Sequence, residues 1–459
     1  MSSIPPAQAK PVLNSAYRTV WRWHFYAGVL VMPFLLLLSL TGGLYLFKDE
    51  IDRLAYRRMM LVAVTPAQVT PDAWLATARA ATDGKPASVL IPAAPDEAVQ
   101  IRIEQPDGQT ARAFINPYTA ALTGIVPDHG LTETIKDLHS LSLVGGPVGV
   151  AFNVVVEIVA GWAIILCATG LYLWWPRKRQ GAVFVLSETD SRRRPFWRDI
   201  HAVAGFYTAG VIIFLAVTGM PWSAVWGDQF MGVMRKTALG RPPAPAAAQW
   251  TDTTPHHGPH DVGWTMEGTN LSHHHAADAP PSLTRVVQTL TEQDMARPVM
   301  ISIPQQADQT WTVSTQPDHV EDTRILYVDP ASGAVKADVR YGDFGPMAKA
   351  MEWGIMVHQG QQYGWLNRLV MLGGCIGVWL LAISGTFMWW KRRPPRLSPF
   401  RSGAPSALPH SQSDARYRVV LAIVTPLAIL YPVTGASLLV ALLVDALVSR
   451  RIGRNRPVL

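Results

Sequence analysis

Long apolar stretches dominate the pattern of this chain. Five of them contain no Asp, Glu, Lys or Arg and cover residues 25–47, 158–176, 202–227, 369–390 and 419–444. A helix needs about 20 apolar residues to cross a hydrocarbon core of about 30 Å. The pattern therefore predicts a polytopic α-helical membrane protein with five spans.

The two long segments between spans, 48–137 and 228–356, have a different pattern. Each contains a helical region followed by short runs that alternate polar and apolar residues, such as AVQIRIE before the turn PDG, and WTVST before RILYVDP. Alternation with a period of two predicts strands. Each segment is therefore predicted to be a small α+β module outside the membrane.

These patterns divide the chain into consecutive parts. The boundaries are an N-terminus (1–17), TM1 (18–47), the first module (48–137), TM2 with a preceding interfacial helix (138–176), a basic loop (177–200), TM3 (201–227), the second module (228–356) with a His-rich insertion (238–281), TM4 with a preceding interfacial segment (357–390), a loop (391–416), TM5 (417–447) and a tail (448–459).

Composition and charge support the membrane prediction and orient it. Hydrophobic residues make up 49% of the chain and charged residues 16%, whereas a soluble domain carries about 25% charge. The net charge of +7 comes from basic residues beside the spans, which argues against nucleic acid as a partner. Lys and Arg concentrate in cytoplasmic loops. The N-terminus and the two short loops are therefore expected in the cytoplasm, and both modules in the periplasm of a bacterial inner-membrane protein.

The fifth span conflicts with this orientation. Basic residues precede it at Arg416 and Arg418, and more basic residues follow it from Arg450 onward. Pro426 and Pro432 interrupt it, and each removes a helical hydrogen bond. A kinked crossing with a basic periplasmic tail and a re-entrant element both remain open, and the single crossing is favoured.

An internal duplication links the two halves of the chain. His24 and His201 are each followed by Gly after four residues and by Thr-Gly after 17 residues. The second and fourth spans end in tryptophan pairs that begin at Trp174 and Trp389 and precede basic residues. Parallel repeats are related by an axis along the membrane normal. The predicted architecture is two parallel repeats, each helix–periplasmic α+β module–helix, plus a fifth C-terminal helix.

Four histidines occupy corresponding places in the predicted repeats. His24 and His201 lie at the cytoplasmic ends of the first and third spans, and His139 and His358 precede the second and fourth spans on the outer side. The repeat axis pairs them across a gap at each face, which suits six-coordinate haem with two axial imidazoles. The Gly one turn after His24 and His201 allows a flat macrocycle to approach. Zinc is a weaker alternative, because it needs further ligands nearby.

Other candidate residues allow two interpretations each. Glu157 is either a functional intramembrane carboxylate or an interfacial acid that faces water. The His-rich insertion either binds iron, copper or zinc loosely or is a solvated loop; its histidines are His256, His257, His260, His273, His274 and His275. Nucleotide-binding and hydrolase motifs such as GxxxxGK[ST], GxGxxG and GxSxG are absent. Electrons are therefore expected from a cytoplasmic reductase or from quinol.

The chain resembles a known family through a set of motifs. WRWHFYAG, LTGGLYLFKDEID, RDIHAVAGFY with VTGMPW, INPYTAALTG and the tryptophan pairs together resemble the PepSY-associated transmembrane proteins over roughly 18–395. That family includes ferric-siderophore reductases of the inner membrane. The resemblance implies two haem b groups held by His24, His139, His201 and His358, and periplasmic reduction of Fe(III) in a siderophore. The His-rich insertion and the fifth span depart from the family pattern.

The expected function is therefore that of an inner-membrane dihaem b oxidoreductase, a haem-dependent enzyme. It would pass electrons across the lipid bilayer to a periplasmic Fe(III) complex, a ferric siderophore, and release Fe(II). No catalytic residue is assigned. The alternatives are a non-enzymatic PepSY-type membrane sensor or regulator, and a metal-ion transporter that uses the His-rich insertion as a collector.

Overall fold

The computed structural model describes residues 15–66, 69–144, 146–175, 184–242, 280–304, 310–392 and 415–454. The chain divides into two compact units, which are treated separately. The helical unit comprises Met1–Leu40, Val144–Gly227 and Leu372–Leu459, and the sheet unit comprises Thr41–Leu143 and Asp228–Met371.

The described residues contain twelve α-helices and eight strands. The helices are α1 (Ser15–Tyr45), α2 (Lys48–Met60), α3 (Pro71–Thr82), α4 (Leu131–Ser140), α5 (Gly146–Trp174), α6 (Arg194–Gly219), α7 (Trp226–Lys236), α8 (Leu283–Glu292), α9 (Pro346–His358), α10 (Gly364–Trp390), α11 (Ala415–Leu430) and α12 (Pro432–Arg454). The strands are β1 (Lys85–Ile91), β2 (Val99–Glu104), β3 (Thr110–Ile115), β4 (Leu122–Pro127), β5 (Val299–Ser302), β6 (Trp311–Thr315), β7 (Arg324–Val328) and β8 (Val335–Arg340).

Four helical segments are long and apolar enough to cross a membrane. They are Val20–Tyr45, Gly146–Trp174, Arg194–Trp222 and Gly364–Trp390. Helices α5 and α10 begin 12 and 5 residues before the charge-free stretches (158 − 146 and 369 − 364). These helices begin earlier because the helical backbone includes Glu157 in α5 and Arg368 in α10. Both charged side chains have hydrogen-bond partners in the protein.

The fifth predicted span is divided into two helices. Helix α11 ends at Leu430 and α12 begins at Pro432, which lacks a backbone N–H and suits the first turn of a helix. A Cβ atom on Gly435 would lie 2.2 Å from the carbonyl oxygen of Ala428. That approach requires a sharp bend at Tyr431, and only glycine fits at position 435.

Both helices pack against α5. Val424 of α11 packs with Ile165 and Tyr172, nearer the C-terminal end of α5. At the bend, Tyr431 packs with Ile164, and the Thr434 side chain lies against Gly161. In α12, Ser437 accepts a hydrogen bond from the Trp162 indole (2.9 Å), and Leu438 packs on the cluster that contains Val424. The stretch predicted as TM5 is therefore two helices that meet at a bend, and the favoured single, kinked crossing stays a prediction.

The sheet unit contains one continuous antiparallel sheet. Its strand order is β4-β3-β2-β1-β5-β6-β7-β8. Strand β1 pairs with β5 in a register that sets Ser88 opposite Ser302 and Val89 opposite Ile301. The strands of the two predicted modules therefore form a single sheet, instead of two separate sheets.

Helices α3 and α8 cover one face of this sheet. Trp74 and Leu75 from α3, together with Leu283 and Val286 from α8, pack on strand residues such as Ile101 to form the main hydrophobic core. The carboxylate of Asp72 accepts hydrogen bonds from the Leu283 amide (2.7 Å) and the Ser282 hydroxyl (2.6 Å). An acid at this position satisfies unpaired amides at the start of α8 and joins the two helices.

Candidate histidine sites

The first histidine pair lies in the helical unit. His24 of α1 and His201 of α6 have ring centroids 6.3 Å apart, and the ring planes are nearly perpendicular, at 87°. The structure therefore brings together two residues separated by 177 positions (201 − 24) that the internal duplication had paired.

Hydrogen bonds at Nδ1 fix the tautomer of both rings. The Thr169 hydroxyl donates to the Ile165 carbonyl (2.8 Å), so its oxygen accepts from His24 Nδ1 at 2.9 Å. His201 Nδ1 lies 3.1 Å from the Leu381 carbonyl, which can only accept. Both rings therefore carry their proton on Nδ1 and leave the Nε2 lone pair for a ligand. Hydrogen bonds of this kind orient metal-binding histidines in proteins.

Each ring of the first pair also packs against a glycine. A Cβ atom on Gly170 would lie 3.3 Å from Cε1 of His24, and one on Gly385 would lie 3.6 Å from Cε1 of His201. The Ser384 hydroxyl adds a second contact to His201 Nδ1 at 3.1 Å. Thr169-Gly170 and Ser384-Gly385 therefore make equivalent contacts. In each, a hydroxyl contacts Nδ1 and a glycine packs against Cε1 of one imidazole, an arrangement that we call a hydroxyl–glycine seat.

Sequence reasoning missed the two hydroxyl groups of these seats. Thr169 and Ser384 are 215 residues apart, which is the same offset as that between Trp174 and Trp389. The internal duplication therefore relates these two positions. They were missed because one is threonine and the other is serine, and both residue types are common in apolar helices.

The second histidine pair lies in the sheet unit. His139 of α4 and His358 of α9 have ring centroids 6.4 Å apart and ring planes at 88°. His139 Nδ1 lies 3.0 Å from the Thr41 hydroxyl. A Cβ atom on Gly42 would lie 3.1 Å from Cε1 of His139. Thr41-Gly42 is therefore a third hydroxyl–glycine seat.

Burial keeps His358 in its neutral form. Desolvation lowers the pKa of His358 to about 3, and the neighbouring His139 contributes in the same direction. A neutral imidazole retains the lone pair that a metal ion needs. The environment of the second pair therefore favours ligand chemistry over a charged, solvent-facing histidine.

The spacing of both pairs fits two axial ligands on one metal ion. A metal–imidazole bond is about 2.0 Å long, and each ring adds its own radius, so two opposed imidazoles on one metal ion have ring centroids roughly 6 Å apart. The observed separations are 6.3 and 6.4 Å. Among the residues that the structure describes, no group of three or more His, Cys, Asp or Glu side chains is placed to hold a metal ion. Two imidazoles without further protein ligands suit haem, whose porphyrin supplies the other four donors.

The glycines expected to admit a macrocycle differ from each other. A Cβ atom on Gly28 would meet nothing within 4 Å, so the space beside this turn of α1 is open. A Cβ atom on Gly205 would lie 3.4 Å from Leu381. The open face predicted beside both histidines is therefore present at His24, whereas a leucine side chain lines it near His201.

Glu157 is deeper in the protein than the sequence suggested. It is fully buried and is the twelfth residue of α5, not an interfacial acid at a water-facing end. Its Oε2 atom accepts hydrogen bonds from the backbone amides of Val225 (3.1 Å) and Trp226 (3.2 Å) at the start of α7. The water-facing interpretation is therefore wrong.

The His-rich insertion lies outside the described residues for most of its length. Its candidate loop ligands, all between positions 243 and 279, are His256, His257, His260, His273, His274 and His275. Metal binding by this insertion stays a sequence prediction.

Four membrane-length helices, an extended sheet and two opposed histidine pairs define a multi-pass membrane protein with two candidate cofactor sites. Comparison with curated proteins finds no similar sequence. Comparison with protein families finds one described as the PepSY-associated TM region, which matches residues 21–392. The chain belongs to this family, and the suspected family membership is confirmed.

Proposed function

We propose that this protein is an inner-membrane dihaem b oxidoreductase that carries electrons across the bilayer to periplasmic Fe(III). The observation that supports it most strongly is the presence of two histidine pairs, each with perpendicular rings and a centroid separation near 6.3 Å. A single pair would suit many structural roles. Two pairs with the same spacing suit two redox groups in series.

Different residues would hold the two haem groups and orient the histidines that bind them. His24 and His201 would hold one haem b, and His139 and His358 the other, each supplying Nε2. When bound, haem b accepts and releases one electron at a time at a potential that depends on its axial ligands and surroundings. The Thr169 hydroxyl and the Leu381 carbonyl keep His24 and His201 in the required tautomer, and the Thr41 hydroxyl contacts His139 and helps to orient it.

The proposed orientation places the first pair at the cytoplasmic face and the second pair towards the periplasm. In this orientation the basic N-terminus and the two short basic loops would lie in the cytoplasm, where Lys and Arg concentrate.

The proposed acceptor is a ferric siderophore, by resemblance to the reductases of the family. Hard oxygen donors hold Fe(III) far more tightly than Fe(II), so reduction by one electron loosens the complex and releases Fe(II). The electron donor would be a cytoplasmic reductase or quinol. Two parallel repeats that share one sheet would hold the acceptor on the periplasmic side.

The two alternatives lack a comparable observation. A sensor or regulator gives no role to buried imidazoles whose Nδ1 protons are fixed by neighbouring helices. A metal-ion transporter needs polar ligands along a path through the spans. Among the described residues of the helical unit, Glu157 is the acid that is fully buried within a span, and it is bonded to backbone amides.

The decisive experiment is a visible absorption spectrum of the purified protein, oxidised and then reduced with dithionite, with the haem content measured per chain. We expect six-coordinate, low-spin haem b at two per chain. Folded protein that reproducibly lacks such a spectrum would refute the proposal. Anaerobic mixing of the reduced protein with a ferric hydroxamate, with an Fe(II)-specific chelator as reporter, then tests the acceptor.

A further inference from the structure

Two arginines at one end of the helical unit form no salt bridge with an acid among the described residues. Arg194 is the first residue of α6, and Arg392 follows the end of α10. Their neighbour Arg193 differs, because it forms a salt bridge with Glu188 (3.3 Å). Arg194 and Arg392 therefore keep positive charges that the described part of the chain does not neutralise.

Helix geometry aligns both arginines with the first histidine pair. Arg194 precedes His201 on α6 by seven residues (201 − 194). Arg392 follows Gly385 by seven residues (392 − 385), and its amide still donates to the Trp389 carbonyl (3.1 Å), so the chain keeps turning to this point. Residues seven apart share one face of a helix, about two turns or 10 Å of rise apart. Because Gly385 packs against the His201 ring, both arginines lie beyond the same imidazole.

Contacts with α1 bring the two arginines under the other imidazole as well. The Arg392 guanidinium lies over the Trp21 ring, 4.1 Å from its centroid. Trp21 is three residues before His24, which is about one helical turn. Burial and the neighbouring positive charge of Arg194 lower the pKa of Arg392. Two guanidinium groups therefore converge on one side of the first pair.

Like charges that converge in this way favour an anion between them. A guanidinium presents its donors in a planar fork that matches a carboxylate or a phosphate. Stacking on Trp21 holds one of the two forks in place. The Trp197 and Phe387 rings are stacked at 4.1 Å and 9°, which holds the start of α6 against the end of α10. The arrangement is therefore preorganised for negatively charged groups at the edge of the first site.

We propose that Arg194 and Arg392 bind the two propionate carboxylates of the haem b held by His24 and His201. This inference rests on the proposed function. Haem b carries both propionates on one edge of its ring, and the two arginines direct that edge towards the proposed cytoplasmic face. Their positive charges also stabilise the electron of the reduced site. The alignment with His201 and with the seat at Gly385 favours propionates over a lipid phosphate, because a lipid headgroup needs no such alignment.

Haem binding and redox titration of the full-length protein test this assignment, with the second haem as an internal reference. Arg194→Gln and Arg392→Gln should each weaken haem binding at the first pair by about 10- to 100-fold, as expected when a hydrogen bond between charged groups is lost. The midpoint potential of that haem should fall, because a nearby positive charge is removed. Arg193→Gln, at the adjacent arginine that pairs with Glu188, is the matched control and should leave both quantities unchanged.

Haem b dimethyl ester, whose propionates carry no charge, provides a second measurement. Full-length protein prepared without haem is loaded with either compound. The first pair of the unaltered chain should bind the ester about 10- to 100-fold more weakly than haem b, whereas a chain with both Arg194→Gln and Arg392→Gln should bind the two alike. If both single variants keep the unaltered affinity and potential, or if the double variant still prefers haem b at the first pair, this inference is wrong while the proposed function stands.

Vesicles of phosphatidylcholine, with and without phosphatidylglycerol, distinguish the propionates from lipid headgroups. Propionate binding predicts that the two arginine variants have the same effect in both membranes. Effects that require phosphatidylglycerol would assign the arginines to lipid and overturn the inference. Absence of haem from the folded, unaltered protein would reject the proposed function itself.

Discussion

The two histidine pairs have the same local geometry but different supports. His24 and His201 project from α1 and α6, two helices of membrane-crossing length. His139 and His358 lie at the ends of the short helices α4 and α9. A hydroxyl–glycine seat contacts His139 as well as both rings of the first pair. The hydroxyl–glycine seat is therefore common to both pairs, whereas the helices that carry the histidines differ.

The ends of α4 and α9 show how the second pair is supported. Leu141 follows α4 in the left-handed conformation (φ 54°), and Gly360 follows α9 at φ 75°. A left-handed residue ends a helix sharply. The second pair therefore depends on two tight turns in the sheet unit, while the first depends on packing between long helices.

Removing a ligand should have the largest effect. His24→Ala and His358→Ala should each lower the haem content from two to one per chain, and the remaining haem should belong to the other pair. Haem analysis and redox titration measure this. His129→Ala, at a largely exposed histidine of the sheet unit, is the control and should retain two haems. Loss of both haems in each ligand variant would argue against two independent sites.

Filling the open space beside α1 should affect the first pair alone. Gly28→Leu places a side chain where nothing lies within 4 Å, so the fold should tolerate it, but a haem lying there would not. We expect binding at the first site to weaken by more than about 100-fold, or nearly 3 kcal/mol. Val29→Leu, at an exposed neighbour, should bind normally. Normal haem content in Gly28→Leu would place the cofactor elsewhere.

Removing a hydroxyl should affect only the pair that it contacts. Thr169→Val should weaken haem binding or shift the midpoint potential at the first pair, and Thr41→Val should do so at the second. Loss of such a supporting hydrogen bond costs about 10- to 100-fold in metal affinity. Potentials measured separately for the two haems distinguish the variants. Equal effects of both variants on both haems would contradict the assignment.

Strain in the turn after α9 should weaken haem binding at the second pair. Gly360→Ala adds a Cβ atom at positive φ, 3.0 Å from Leu46 and 3.1 Å from the Arg368 backbone. The left-handed conformation costs a non-glycine residue about 1–2 kcal/mol, so we expect roughly tenfold weaker binding at the second pair and a lower unfolding temperature. Gly373→Ala, at a helical glycine with open space, should bind both haems as the unaltered protein does.

The smallest effect is expected at His201. Ser384→Ala removes one of two Nδ1 acceptors, and the Leu381 carbonyl remains at 3.1 Å. Binding at the first pair should therefore change by no more than about threefold, or roughly 0.6 kcal/mol. A change as large as that in Thr169→Val would show that the serine, and not the carbonyl, fixes this ring.

The sequence predicted the residues of the candidate sites better than their surroundings. Equal gaps after His24 and His201 indicated which imidazoles face each other, because a repeat constrains positions across the whole chain. The hydroxyls of Thr169 and Ser384 were missed, since threonine and serine are unremarkable in apolar helices until a partner is seen. Ligation by these histidines stays a prediction.

Longer-range features were harder to predict for physical reasons. The joining of β1 to β5 depends on the edges of two separate segments, which no local pattern encodes. The basic residues on both sides of the last apolar stretch are compatible with two topologies. The positive-inside rule assigns a basic segment to one side of the membrane only when the number of crossings is known. The bend between α11 and α12, where Gly435 lies against the Ala428 carbonyl, adds a feature that no charge count predicts.

The shared sheet also bears on how the chain is made. Ser88 in β1 cannot meet Ser302 in β5 until 214 further residues have been synthesised (302 − 88), which takes on the order of 10–40 s at about 5–20 residues per second. During that interval the first half exposes an open strand edge, a template for pairing with other chains. The nascent protein therefore passes through a stage vulnerable to aggregation, which ends when its second half arrives.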